Sequence, residues 1–516
     1  MDARLPMDSV LVDPAGPETL PRQIYAQLRA LIEKRALASG STLPSTRELA
    51  HDLGVGRNSV IAAYDQLSLE GFIRLRRGAP PVVVSLPALA RPDAPGGAAP
   101  GIGLSRRGRL LCAQVHHAGQ PGDPGFHPGM PDPGNFPFNT WSKLLARRAR
   151  GARHDLFGSY SLQGYPPLRA AIARYLTASR GVNCGPGQVV VTNGAQSAFD
   201  LLARMLVDPG DTVWMEEPGY HGARAAFLSA GAVLAPLAVG DAGWDLTPPP
   251  VPPRLIFVTP SCHYPLGVTM PMEQRLNLIR AAQAADAWII EDDYDSEYRF
   301  QGQPIPALQG LDVSNRVVFV GTFAKTLFPA MRLGYMVVPP AVGERIDAAL
   351  AATGQFAPLV TQAALADFIN EGHLTRHLRR TRRLYAQRRE AFFRGFEDHL
   401  APWMRLQRTD TGIQLVARFR TPIDDRALSD AARAEGVSVS PFSIQFSHPG
   451  AESGLLFGFA ALDERDQTRA FRKLREVVAR MAAAGRADAP AASTAAPPAA
   501  TAPLPARAGR ASAGAG

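Results

Sequence analysis

Cysteine is scarce in this chain: Cys112, Cys184 and Cys262 are odd in number, widely spaced and without a CxxC pair. That excludes a disulfide framework and a structural zinc site, and it fits a reducing cytosol. No stretch approaches the roughly 18 uninterrupted apolar residues that a membrane span requires. The opening Met1-Asp2-Ala3-Arg4-Leu5-Pro6 has no basic stretch followed by an apolar run, so no secretory signal is visible. These absences predict a cytoplasmic protein. No internal repeat occurs either. What is present is a soluble globular composition, 46% hydrophobic and 20% charged, over 516 residues, enough for two or three domains. The net charge of +9 permits a nucleic-acid partner without demanding one, because solvated helix faces reach such a value alone.

Composition divides the chain. Residues 14–86 show helical periodicity with polar punctuation. Residues 87–122, rich in Ala, Pro and Gly with a basic cluster at Arg106, Arg107 and Arg109, read as a flexible linker without a folded element. Residues 123–486 alternate apolar strand-like runs with helical stretches, the pattern of an α/β domain. The tail, 487–516, holds almost nothing but Ala, Pro, Ser, Thr and Gly and is expected to be disordered.

In the first segment, Ile24, Leu28, Leu31 and Ile32 mark one amphipathic helix. A second starts after Leu43-Pro44, where Ser45 and Glu48 form a capping box, and Gly54 ends it. A third runs from Arg57 to Glu70 and buries Val60, Tyr64 and Leu67. Two helices joined by a glycine turn, the second opening on Arg57-Asn58-Ser59, have helix-turn-helix geometry. The start of such a second helix enters the major groove, where a guanidinium reads guanine and Asn or Ser reach bases or phosphates. Phe72 to Gly78 alternates like a strand and delivers Arg77 and Gly78 to a turn, which reads as a wing on the DNA backbone or minor groove. A small protein-interaction module is the competing reading, and the basic helix start and basic wing favour DNA.

Three segments of the large domain carry the parts that pyridoxal phosphate needs. Lys325 follows the apolar run Val317–Val320 and, buried, can form an imine with an aldehyde. Thr322, and Arg332 seven residues past the lysine, suit a phosphate dianion. Ala287-Trp-Ile-Ile-Glu-Asp292-Asp-Tyr294 ends an apolar strand in carboxylates, where α/β folds place ligands. Asp292 can keep a pyridine nitrogen protonated and Tyr294 can face the ring oxygen. No His follows at ligand spacing, so no metal is expected. Gly194-Ala195-Gln196 opens a helix whose N–H groups can take a phosphate. Tyr220 either covers the cofactor face or is an ordinary core tyrosine in a turn.

Leu43-Pro-Ser-Thr46-Arg47-Glu-Leu-Ala, Leu53-Gly-Val-Gly-Arg-Asn-Ser-Val and Arg76-Arg-Gly together resemble the GntR-type winged helix-turn-helix. The resemblance implies DNA contacts from Ser45, Thr46, Arg47, Arg57, Asn58, Ser59, Arg77 and Gly78. Two positions depart from it: Gly56 stands for the usual Ser, and Ala79-Pro80-Pro81 for Ser-Gly-Thr. Over residues 123–480, Phe126-His-Pro-Gly-Met-Pro-Asp, Gly164-Tyr-Pro-Pro-Leu-Arg, Glu217-Pro-Gly-Tyr, Glu291-Asp-Asp-Tyr-Asp-Ser-Glu-Tyr and Gly321-Thr-Phe-Ala-Lys resemble fold-type-I aminotransferases, and more closely that domain in regulators of the MocR/GabR type. The resemblance implies pyridoxal 5'-phosphate bonded to Lys325, with Asp292 at the ring nitrogen, Tyr294 at the phenolic oxygen and Tyr220 stacked on the ring. It also implies a head-to-tail homodimer in which Tyr160 serves the neighbouring subunit's phosphate.

Further departures fall in the large domain. Ala324 replaces the Ser common before the lysine. Cys262, His263 and Leu266 stand at an expected pocket floor in place of other residues, and Leu456 stands where aminotransferases carry the arginine for the substrate's α-carboxylate. Efficient transamination is therefore not expected; Arg224 becomes the candidate for holding an effector, or the effector is pyridoxal phosphate itself. The basic stretch Arg376–Arg394 reads as a solvated or interface helix, with DNA steering as the lesser alternative. The function that follows is a cofactor-dependent regulator of double-stranded operator DNA, sensing pyridoxal phosphate or an amine. Its two winged helices would meet half-sites roughly 34–36 Å apart. An aminotransferase with an accessory domain is the rival.

Overall fold

The computed structural model describes residues 10–85, 103–113, 124–151, 156–158, 160–303, 305–448 and 452–487. The chain divides into two compact units, with the boundary at Gly103 and Leu104.

In the first unit, α1 (Leu20–Glu33) buries Ile24, Leu28 and Ile32 along one stripe. α2 (Thr46–Asp52) begins at Ser45, whose hydroxyl accepts from the Glu48 N–H while the Glu48 carboxylate accepts from the Ser45 N–H. The capping box is thus formed as the sequence predicts. Gly54 adopts φ +63° and turns the chain into α3 (Arg57–Leu69). Val60, Tyr64 and Leu67 close the core, and the Tyr64 hydroxyl donates to the Pro44 carbonyl at 2.9 Å, fixing α3 against the entry of α2. Strands β1 (Ile73–Arg76) and β2 (Ala79–Val83) pair antiparallel and form the wing. Val10 is also buried in this core, so the folded unit starts before residue 14.

The expectation of a linker without folded elements over 87–122 is corrected at Arg106–Cys112. These residues form α4, capped by the Ser105 hydroxyl. The expected tail lies outside the described residues from 488 onward.

The second unit continues with α5 (Phe138–Gly151), α6 (Pro166–Arg180), β3 (Val189–Thr192), α7 (Ala195–Leu206), β4 (Thr212–Glu217), α8 (His221–Ala230), β5 (Val233–Gly240), β6 (Gly243–Trp244), β7 (Leu255–Val258), α9 (Met272–Ala284), β8 (Trp288–Asp293), β9 (Val317–Thr322) and β10 (Gly334–Val337). Eight strands make one sheet in the order β3-β10-β9-β8-β7-β4-β5-β6. β9, β8, β7, β4 and β5 run parallel, while β10 runs antiparallel to both of its neighbours. The continuous apolar runs of β7 and β9 follow from burial on both faces. α4 packs against α8.

Then come α10 (Pro340–Thr353), α11 (Leu359–Asn370), α12 (His373–His399), β11 (Met404–Leu406), β12 (Gln414–Phe419), α13 (Asp425–Ala434), β13 (Ser440–Pro441), β14 (Gly454–Gly458) and α14 (Glu464–Ala487). β11-β12-β14-β13 form an antiparallel sheet. It shares with α12 and α14 an aromatic core of Phe126, Phe392, Phe457 and Phe471. α12 is not basic all round. It buries Leu374, Leu378, Tyr385 and Phe392, and exposes Arg376, Arg379, Arg380 and Arg383, as a solvated face requires.

Candidate functional site

The carboxyl ends of β3, β4, β8 and β9 converge on one cavity of about 390 Å³. Parallel strands leave their chain ends there, and the following turns carry the side chains. Gly194, Ala195, Gln196, Tyr220, Asp292, Tyr294, Thr322, Lys325 and Arg332 all line it, so nine of the residues singled out in the sequence come together. Tyr160 does not. It is 66% exposed and stacks on Phe356 at 4.9 Å.

Lys325 keeps part of its surface open to the cavity, and burial lowers its ammonium below the ordinary lysine range, against the pull of Asp295 and Asp292. Gly129, at φ +62°, passes so close that a Cβ there would lie 2.8 Å from the Lys325 Nζ. Asp292 is 5% exposed, and its Oδ1 has no hydrogen-bond partner. Burial first, then Asp293, Glu216 and Asp295, hold its carboxyl well above the usual range. Beside it, the Asp293 Oδ2 makes a buried ion pair with Arg180 at 2.8 Å, and Asp293, unlike Asp292, does not line the cavity. The Tyr294 hydroxyl accepts from the Gln414 Nε2 at 3.3 Å and lies 3.5 Å from the Cys262 Sγ. Tyr220 meets Tyr264 edge-on at 5.4 Å, and burial pushes its hydroxyl up to about 12.

At the other pole, the first turn of α7 opens at Gly194 with no side-chain cap on its N–H groups. The Arg332 guanidinium stands beside it and donates to the Asn193 carbonyl at 3.2 Å. The Thr322 hydroxyl accepts from the Ala324 N–H at 3.1 Å. Uncapped N–H groups beside a guanidinium make an anion site.

Two expectations for this region are corrected, those for the Cys262 turn and for Arg224. Cys262, His263 and Leu266 lie behind the cavity wall rather than on its floor, and of that turn only Tyr264 lines the cavity. Leu456 is fully buried in β14, paired with Val416 and Ser440, and brings no charge to the cavity. Arg224 is committed elsewhere: it donates to the carbonyls of Gln445 at 2.6 Å and Phe446 at 3.2 Å, and lies 3.7 Å from the Glu217 carboxylate. His127, Met130, His221, Gln414, Ser440 and Gln445 line the cavity without having been singled out. His221 opens α8 beside Tyr220, and His127 and Met130 lie in the Phe126-His-Pro-Gly-Met run, while Gln414, Ser440 and Gln445 come from segments distant in sequence that no local pattern marks. Among the described residues no cluster of metal ligands occurs, and no helix is long and apolar enough to cross a membrane.

In the first unit, Arg57 and Asn58 are exposed at the start of α3, and Ser59 is half-buried. The Arg57 Nε donates to the Thr46 hydroxyl at 3.2 Å, which aims the guanidinium and leaves its terminal nitrogens open. Gly56 caps α3 without a side chain; the Ser59 N–H donates to the Gly56 carbonyl at 2.9 Å, and the Arg57 and Asn58 N–H groups have no side-chain cap. Ser45 is occupied in the capping box, Arg47 is exposed on α2, and Arg77-Gly78 form the exposed tip of the wing.

Comparison with known proteins agrees with this geometry. Residues 20–83 match the family of bacterial regulatory proteins, gntR family, and residues 130–474 match aminotransferase class I and II. The chain is 49% identical to the probable rhizopine catabolism regulatory protein MocR of Rhizobium meliloti, over 90% of this chain and 94% of that one. It is 31% identical to the pyridoxine biosynthesis transcriptional regulator PdxR of Corynebacterium glutamicum, over 88% and 95%. The α-aminoadipate aminotransferase LysN of Thermus thermophilus, solved with N-(5'-phosphopyridoxyl)-L-leucine, superposes with a TM-score of 0.64 at 25% identity, over 74% of this chain and 96% of its own. A DNA-reading unit of one family is therefore followed by an aminotransferase fold of another, in the arrangement of its regulatory relatives. The chain belongs to the MocR-type transcription regulators of the GntR family.

Proposed function

We propose that this regulator carries pyridoxal 5'-phosphate at Lys325 and uses it to sense an amine, or the cofactor itself, while bound as a cytoplasmic homodimer to operator DNA. The observation that carries the reading is the pairing of Lys325 with Asp292 across one cavity, the carboxylate buried and its Oδ1 unpartnered. A buried acceptor without a donor is costly, and a protonated ring nitrogen satisfies it. The residues present therefore fit the cofactor. Pyridoxal phosphate supplies an electrophilic aldehyde and an electron-withdrawing ring.

The protein supplies the rest. Lys325 presents an amine whose charge burial has weakened. Asp292 holds the proton at the ring nitrogen. Tyr294, oriented by Gln414, faces the phenolic oxygen. The N–H groups after Gly194, with Arg332 and Thr322, take the phosphate, and Tyr220 covers the ring. Tyr160, exposed outside the cavity, is offered to the second subunit. On the DNA side, Arg57 and Asn58 read base edges, while Arg47 and Arg77 grip phosphates.

Borohydride treatment of cofactor-soaked protein, followed by peptide mass spectrometry, tests the assignment. The phosphopyridoxyl mass is expected on the peptide holding Lys325. An unmodified Lys325 overturns the reading.

A further inference from the structure

We infer that the cavity at Lys325 selects primary amines whose other polar groups are hydroxyls over amines that carry a carboxylate, and that Gln445 sets this preference. The inference rests on the cofactor reading above and goes beyond it to the class of ligand.

Charge comes first. Of the residues lining the cavity, only Lys325 and Arg332 are lysine or arginine. Lys325 is the cofactor's anchor, and Arg332 stands at the Gly194 pole where the phosphate belongs. Nothing replaces the missing anchor, since Leu456 stands at the position of the aminotransferase arginine and Arg224 clamps backbone carbonyls. Among the described residues Asp292 is the one acidic residue lining the cavity, and it adds no positive charge. A buried carboxylate without a guanidinium or ammonium partner is strongly disfavoured.

The second observation is what Arg224 holds in place. Its guanidinium donates to the Gln445 carbonyl at 2.6 Å, and the Gly219 N–H donates to the same oxygen at 3.0 Å. Both bonds fix the 3-10 turn Ser443–Gln445 over the cavity. Gln445 is 1% exposed and lines the cavity with Tyr264, and its carboxamide oxygen lies 3.5 Å from the His221 Nδ1. Gln414 and Ser440 extend this wall of neutral groups. Carboxamides and hydroxyls both donate and accept, which matches a ligand hydroxyl. A carboxylate only accepts, and it brings a charge.

The test uses the full-length protein loaded with pyridoxal phosphate. Matched probes differ in one group: 2-aminopropanol against alanine, 3-aminopropanol against 3-aminopropanoate, and 4-aminobutanol against 4-aminobutanoate. The readouts are the change in the cofactor's visible absorbance and the change in affinity for a DNA fragment carrying the operator. Each amino alcohol is expected to act at a concentration at least about 30-fold below that of its amino acid. Gln445→Arg is expected to reverse the order, with native folding checked by its melting curve. If that variant does not fold, Gln445→Leu is expected to weaken the amino alcohols by about 10-fold and leave the amino acids unmoved. Equal or better action of the amino acids, or absorbance that no probe changes, overturns the inference. So does an order unchanged in folded Gln445 variants. Failure of the protein to develop a cofactor band at all overturns the reading beneath it instead.

Discussion

Gly129 has no side chain because the Lys325 amine leaves no room for one. Gly129→Ala puts a methyl 2.8 Å from the Nζ and forces a β-carbon into a left-handed backbone. Retention of cofactor by this variant is expected to fall by about 10-fold or more in an absorbance titration, with little change in melting temperature. His263 makes the clearest pH prediction. Its Nε2 lies 3.7 Å from Glu216, yet this is a contact rather than an ion pair, since burial pushes the imidazole down to about 3 and the Nε2 has no hydrogen-bond partner. The unfolded chain takes up this proton near pH 6.5, so stability is lost as pH falls from about 6.5 towards 3. Glu216 and Asp295, each pushed up to about 7 by burial, act oppositely: their contribution is whole below the ordinary carboxylate range and disappears as pH rises through about 7. In His263→Gln, the drop in melting temperature between pH 6.5 and 4 is expected to be shallower than in the wild type. Reactive residues such as Lys325 and Asp292 were legible because each ends an apolar strand. Arg224 was misjudged because the prior commitment of a side chain to other partners is a tertiary fact.

Elements carry the DNA-reading half. Ser45 ties the start of α2, and Thr46, one residue on, aims Arg57 from α3. Ser45→Ala is expected to cost about 1 kcal/mol and to lower the melting temperature of the first unit by about 4–8 °C in calorimetry of the whole chain. Arg57→Ala is expected to weaken specific binding by about 5–150-fold with the fold unchanged, measured by fluorescence anisotropy. Arg77→Ala is expected to weaken binding across sequences and to reduce the salt slope by about 1. This half was legible nearly residue by residue, because caps, glycine turns and apolar spacing are local signals. The helix Arg106–Cys112 was not, since its run of Arg, Gly and Leu exposes every residue of the helix but Gly108 and sits amid Ala, Pro and Gly.

At the scale of the molecule, one unit reads DNA and the other holds a buried lysine, and regulation requires that the second bias the first. Thermodynamic linkage makes this reciprocal: if the cofactor changes DNA affinity, DNA changes cofactor affinity by the same factor. The sequence showed both parts but not the ligand, because the cavity wall is assembled from Gln414, Ser440 and Gln445, over 80 residues beyond Lys325. The most direct test is operator affinity at fixed salt, with and without pyridoxal phosphate, for the wild type and for Lys325→Ala. The predicted result is a cofactor-dependent change of about 5–150-fold in the wild type and none in the variant. An operator affinity indifferent to the cofactor, or a response that survives loss of Lys325 undiminished, would contradict it.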